Sequence, residues 1–124
     1  MARTFRRLYP YKDEHAGRSF WEIWVNIQVL KFAKTLDSKV YWRLRALLVR
    51  TADEGKIRNS EMYDSIDDGF FEFKVQTTRV YSFDDGRRIV LTHGDKKRSD
   101  RAVDERKIAG KIKNEYFEWK GSQK

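Results

Sequence analysis

Three short runs, "FFEFKV" (70–75), "TRVYSF" (78–83) and "RRIVLTH" (87–93), alternate apolar and polar residues and stand only two or three residues apart. A period of two marks a half-buried strand, and gaps that short can join only antiparallel neighbours. Asp85-Gly86, inside "DDGR" (84–87), is the strongest hairpin signal in the chain. A three-stranded meander is therefore the first thing this chain must build. Such a sheet has an apolar face that something must cover.

The cover lies upstream. "NIQVLKFAKTL" (26–36) begins on Asn26 as an N-cap, with Val29, Ala33 and Leu36 on one helical face. Asp37 or Ser38 caps a second helix with the stripe Val40, Leu44, Leu47 and Leu48, and Gly55 is a natural stop. Two helices joined so tightly form an antiparallel hairpin. "SFWEIWV" (19–25) reads as a strand before them, and residues 55–69 as a polar connection with a turn of helix at most. Residues 101–119 place Ala109, Ile112, Tyr116 and Trp119 at helical spacing. The expected class is α+β, in the order β-α-α-β-β-β-α. Its small, antiparallel-dominated sheet carries the helical hairpin on one face.

At 124 residues the chain fits one domain, divided here into a basic arm (1–19) and a folded unit (20–124). It lacks cysteine, which removes disulfides and thiol catalysis, and its two histidines make a paired-histidine metal site improbable. No cofactor is expected. No apolar run is long enough to span a bilayer, and "MARTFRRLYPYKDE" lacks the apolar stretch of a secretory signal, so a cytoplasmic protein without a membrane partner is expected. The net charge is +8 and is unevenly spread. Residues 20–85 carry ten basic against eleven acidic side chains, whereas residues 86–101 carry six against two. A local basic excess is the footprint of a nucleic-acid or other polyanion partner.

The strand register makes this specific. With Asp85-Gly86 as the turn, Asp84 opposes Arg87, Tyr81 opposes Val90 and Arg79 opposes Thr92. With Gln76-Thr77 as the preceding turn, Lys74 opposes Arg79. One face then carries Phe71, Phe73, Val75, Val80, Ile89 and Leu91. The other gathers Lys74, Arg79, Tyr81 and Thr92, with only Glu72 to offset the two cations. A phosphate is a reasonable guest there. The same parity turns His93 toward the core. Gly94 is a bend that would bring Lys96 and Lys97 to the rim of the basic face.

The run "DGFFEFKV…TRVYSFDDGRRIVLTHGDKKR", followed by a basic helix, resembles the RelE/ParE toxin superfamily, most closely its phage-derived, HigB-like branch. The similarity covers roughly residues 20–119 and rests on "EFK", "THG" and the lysine pair that follows. It implies the toxin of a type II toxin–antitoxin system: a ribosome-dependent, metal-independent endoribonuclease cutting messenger RNA in the aminoacyl site. The cognate antitoxin, expected to be a neighbouring helix-turn-helix protein, would neutralise it. By position, Arg79 matches the residue on the scissile phosphate, Lys96 or Lys97 the cation after the last strand, and Lys74 the "EFK" lysine. His93 is the acid–base candidate, and Tyr81, Arg87, Arg88 and Arg98 are further RNA contacts. The acidic "SEMYDSID" (60–67), Asp95, and the lack of a proline before the last helix depart from the family pattern. The alternatives are a ParE-like gyrase inhibitor and an inactive phage-derived protein that binds RNA or a partner.

Overall fold

The computed structural model describes residues 4–10, 21–54, 63–66, 69–96 and 102–123. Its elements are β1 (Phe5–Tyr9), β2 (Glu22–Asn26), α1 (Ile27–Ala33), α2 (Ser38–Glu54), β3 (Tyr63–Ile66), β4 (Phe70–Val75), β5 (Thr78–Asp85), β6 (Arg88–Lys96) and α3 (Ala102–Ser122). The strands form one sheet in the order β1-β2-β6-β5-β4-β3. Every pairing is antiparallel except β2 with β6, which the helical hairpin connection allows to run parallel. The α+β class and the sequence of helices agree with expectation. Among the described residues no helix is long and apolar enough to cross a membrane.

Two strands were not legible. Residues 5–9 lie within the stretch set apart as an arm, yet they pair with β2. Phe5 explains why: it is buried beneath α3, with its ring 5.2 Å from Tyr116 and 5.5 Å from Trp119. The polar connection likewise supplies β3, whose Tyr63–Phe73 and Ile66–Phe70 pairs extend the sheet by four residues.

The sheet is covered on both faces. On one side α1 and α2 bury Val29, Leu44, Leu47 and Leu48 against Ile23, Val25, Phe73, Val80, Ile89 and Leu91. On the other, Ala109, Ile112 and Tyr116 of α3 close over Phe5, Phe70, Phe83 and Val90. The face expected to carry the basic residues is thus roofed along part of its length by the C-terminal helix.

The β4–β5 turn falls at Gln76-Thr77, with Lys74 opposite Arg79 as expected, and Gln76 accepts a φ of +54°. The β5–β6 register is corrected. Asp85 pairs with Arg88, so the loop residues are Gly86 and Arg87. Gly86 has φ +60° while Arg87 does not leave the negative region. That is the II′ pattern, which wants glycine first rather than second. Moving the turn by one residue shifts each pairing by two, so the assignment of faces survives as far as Leu91.

It fails beyond that point, because β6 bulges. Ser82 pairs with Leu91 and Tyr81 with His93, leaving Thr92 as the extra residue. Such a residue reverses the side-chain alternation of its strand. The bulge is held from two directions: the Thr92 hydroxyl donates to the Tyr81 carbonyl at 3.2 Å, and the Asn26 side-chain amide donates to the Thr92 carbonyl. Asn26 is fully buried, and its Oδ1 also accepts from the backbone of Gln28 at 2.7 Å and Val29 at 3.3 Å. One side chain therefore caps α1, as the sequence predicts, and pins the bulge. Gly94 is a point of close approach rather than a free bend. A Cβ there would lie 2.2 Å from the Phe32 ring, which rests on this strand.

Candidate nucleic-acid site on the helix α3 side of the sheet

Two rows of residues cross β4, β5 and β6 on the face opposite the helical hairpin. Lys74, Arg79 and Asp95 form one; Glu72, Tyr81 and His93 form the other. His93 was expected on the core side under the hairpin. The Thr92 bulge overturns that and delivers it to the face of Arg79. Thr92, expected on that face beside Arg79, is instead the buried residue of the bulge. The face is also less cationic than expected, since Asp95 and Glu105 join Glu72 there.

Arg79 is buried, at 9% exposure. Its Nη1 donates to the carbonyls of Gln76 at 2.6 Å and Thr78 at 3.0 Å, so one corner of the guanidinium braces the β4–β5 turn. Its Nε has no hydrogen-bond partner; the nearest carboxylate, Glu72 Oε1, stands 3.8 Å away. A buried donor left unspent is uncommon and marks a strained or functional position. The edge carrying Nε is also the one with which arginine grips an anion in a bidentate manner.

His93 stacks on the Tyr81 ring, with centroids 4.7 Å apart and planes at 17°. Its Nδ1 lies 3.0 Å from the Thr92 hydroxyl. That hydroxyl spends its proton on the Tyr81 carbonyl, so it must accept from Nδ1, which fixes the tautomer. Nε2 then faces Glu105, and one shared proton must sit between them. Both partners are buried. Burial, followed by the negative charges of Glu72, Glu105 and Asp95, raises the Tyr81 phenol well above its ordinary range, against the smaller opposing effect of Arg79. Tyr81 is therefore a hydrogen-bond donor at any physiological pH. A guanidinium edge and a phenol on one face make a donor pair suited to a phosphoryl group, beside an imidazole whose two nitrogens are engaged by Thr92 and Glu105.

The other predicted residues scatter. Alternation sends Lys96 to the hairpin side, exposed at the strand end and opposite Thr78. Lys97 and Arg98 lie outside the described residues. Arg87, at the β5–β6 turn, and Arg88 stand at the far end of β5, roughly 20 Å from Arg79 at strand rise, too far to share one phosphate. Arg88 is committed to the fold. Its guanidinium lies 3.9 Å from the centroid of the Trp24 ring and donates to the Tyr116 hydroxyl at 3.0 Å.

That hydroxyl donates to Asp85 at 2.6 Å, and Lys120 does so at 2.7 Å. Burial, then the Asp85 hydrogen bond, pushes the Tyr116 phenol up to about 12, against Arg88. Burial would also raise Asp85, but the hydrogen bonds from Lys120 and Tyr116 and the charges of Lys120 and Arg88 hold it below the usual carboxylate value. A depressed carboxylate contributes stability above its unfolded pKa, near ~3.9, and loses it as pH falls through the lower folded value. The Asp85 contribution should be level from neutrality to about pH 4 and fall below that. Asp85→Asn should cost about 1–2 kcal/mol at neutral pH and flatten the acid limb, as read by urea unfolding across pH.

Asn26 and Glu105 escaped the sequence reading as parts of this site. Glu105 had a signal: it stands four residues before Ala109, so the α3 stripe extends back through it.

Residues 31–114 match the family model described as Phage derived protein Gp49-like (DUF891). That is more than half of the chain. The chain belongs to this family. The Gp49-like region runs from α1 into α3 and contains Lys74, Arg79, Tyr81, His93, Asp95 and Glu105. Strands β1 and β2 precede it. A search of curated proteins finds no significant match.

Proposed function

We propose that this Gp49-like protein is the toxin of a type II toxin–antitoxin pair, in the HigB-like branch of the RelE/ParE superfamily. It would cut messenger RNA in the ribosomal A site without a metal ion. The observation that carries this reading is the bulge at Thr92, which sets His93 on the same face as Arg79 and Tyr81. In the proposed reaction the ribose 2′-oxygen bonds to phosphorus and the bond to the 5′-oxygen breaks, leaving a 2′,3′-cyclic phosphate. The free edge of Arg79, displacing Glu72, and the Tyr81 phenol hold the phosphorane oxygens. The proton shared by His93 and Glu105 goes to the departing 5′-oxygen, and the 2′-hydroxyl proton goes to Asp95. Lys74 adds charge on the row of Arg79. General acid–base help of this kind is worth about 10²–10⁴ in rate.

One observation favours a second reading. Arg79 and His93 are 9% and 7% exposed, and three carboxylates offset the cations around them. An inactive domain that binds RNA or a protein partner needs no more access than this. Inducible expression, with and without the proposed helix-turn-helix antitoxin, separates the two when transcript ends are mapped. Cleavage predicts growth arrest relieved by the antitoxin, and new 5′-hydroxyl ends inside translated messages. Intact transcripts would remove the nuclease reading, and inhibited supercoiling by gyrase would replace it with the ParE-like one.

A further inference from the structure

Helix α2 carries a second basic surface, on the hairpin side. Lys39, Arg43, Ala46 and Arg50 follow at i, i+4, i+7 and i+11, which aligns them along one exposed stripe. Neither Lys39 nor Arg43 meets an acidic side chain among the described residues. Arg50 pairs with Glu54 at 3.2 Å, but both side chains are about 60% exposed, and such a pair is readily exchanged for another anion. The stripe does not end at the helix. Arg43, Ala46 and Arg50 line an open cleft of about 400 Å³ whose opposite wall includes Lys74. Lys74 is the next residue of β4 after the described Tyr63–Phe73 pair of the β3–β4 ladder. Beside the stripe Trp42 is 61% exposed, its ring braced edge-on by Tyr41 at 5.1 Å and 83°.

We propose that this surface binds single-stranded RNA. Arg43, Arg50 and Lys74 would take consecutive phosphates along the cleft, and Trp42 would stack on a base. Cations alone would suit any polyanion. An indole standing clear of the surface selects a strand whose bases are unpaired. The small Ala46 leaves the floor of the cleft open to a sugar–phosphate chain. The proposal does not depend on cleavage, and a catalytically dead protein would still show it.

The test uses the full chain and a fluorescein-labelled 2′-O-methyl oligouridylate, which cannot undergo 2′-hydroxyl attack. Anisotropy titrations at several salt concentrations give affinity and salt slope. Trp42→Ala should weaken binding roughly tenfold, and Trp42→Phe should keep most of the affinity while abolishing RNA-dependent tryptophan quenching. Arg43→Ala with Arg50→Ala should reduce the slope of log K against log salt by about 1.4, at ~0.7 per lost phosphate contact. Arg45→Ala, on the other side of the helix, should change neither. All four side chains are exposed, so thermal melts should match wild type. Unchanged affinity and slope in the folded variants would overturn the proposal. So would equal binding of duplex RNA, absence of binding by wild type, or a stripe required only for a protein partner.

Discussion

Glu105→Ala unfolds with about 3 kcal/mol less free energy than wild type. The side chain is 4% exposed and faces His93, itself 7% exposed. Nδ1 of that histidine is committed to Thr92, so the tautomer cannot change to relieve the loss. Removing the carboxylate leaves Nε2 without its partner between β6 and α3, and the first turns of α3 lose their polar tie to the sheet. Breaking a buried pair from one side costs more than the pair contributes, because the remaining group stays desolvated. Glu105→Gln retains a donor toward Nε2 and should cost only about 1 kcal/mol. Urea denaturation at neutral pH measures both. An alanine variant within about 0.5 kcal/mol of wild type would mean that the contact is incidental.

Under the proposed nuclease function, Arg79→Ala should lower message cleavage about 10²–10³-fold per folded molecule, the usual cost of removing one charge-stabilising donor at a reacting centre. Arg79 also braces the turn through Gln76 and Thr78, and its loss leaves Glu72 and Asp95 without the cation between them. Activity must therefore be normalised to the folded fraction. Arg79→Lys separates the two roles. It keeps the charge but not the fork, so it should recover stability while restoring only part of the cleavage. Growth arrest by a folded Arg79→Ala protein at wild-type level would remove Arg79 from the chemistry.

The sequence revealed periodic elements and missed single-residue exceptions. Asn26 was legible as a cap because capping needs only a short polar side chain before a helical stripe. Phe71, Phe73, Val75, Val80, Ile89 and Leu91 were placed on the correct face because parity survives a two-residue shift in pairing. Thr92 carries no local mark of a bulge. The extra residue is fixed by Asn26, 66 positions away in the chain, and by the Tyr81 carbonyl across the sheet. Reading β6 as regular therefore turned His93 to the wrong side and hid its partner in α3. Strand β1 failed differently. "FRRLY" is short and interrupted by two arginines, and only Phe5 is buried, by aromatic rings contributed from the other end of the chain. Tertiary burial, not strand propensity, makes it a strand.

The site depends on one reversal of alternation in β6, which places the ring of residue 93 over Tyr81 rather than under the hairpin. Nuclear Overhauser contacts to the imidazole protons of His93 test this in solution. The geometry predicts strong contacts to the Tyr81 ring, whose centroid is 4.7 Å away, and none to Phe32 or Val29. Contacts to Phe32 or Val29 with none to Tyr81 would show an unbulged strand, and the constellation of Arg79, Tyr81, His93 and Glu105 would not exist.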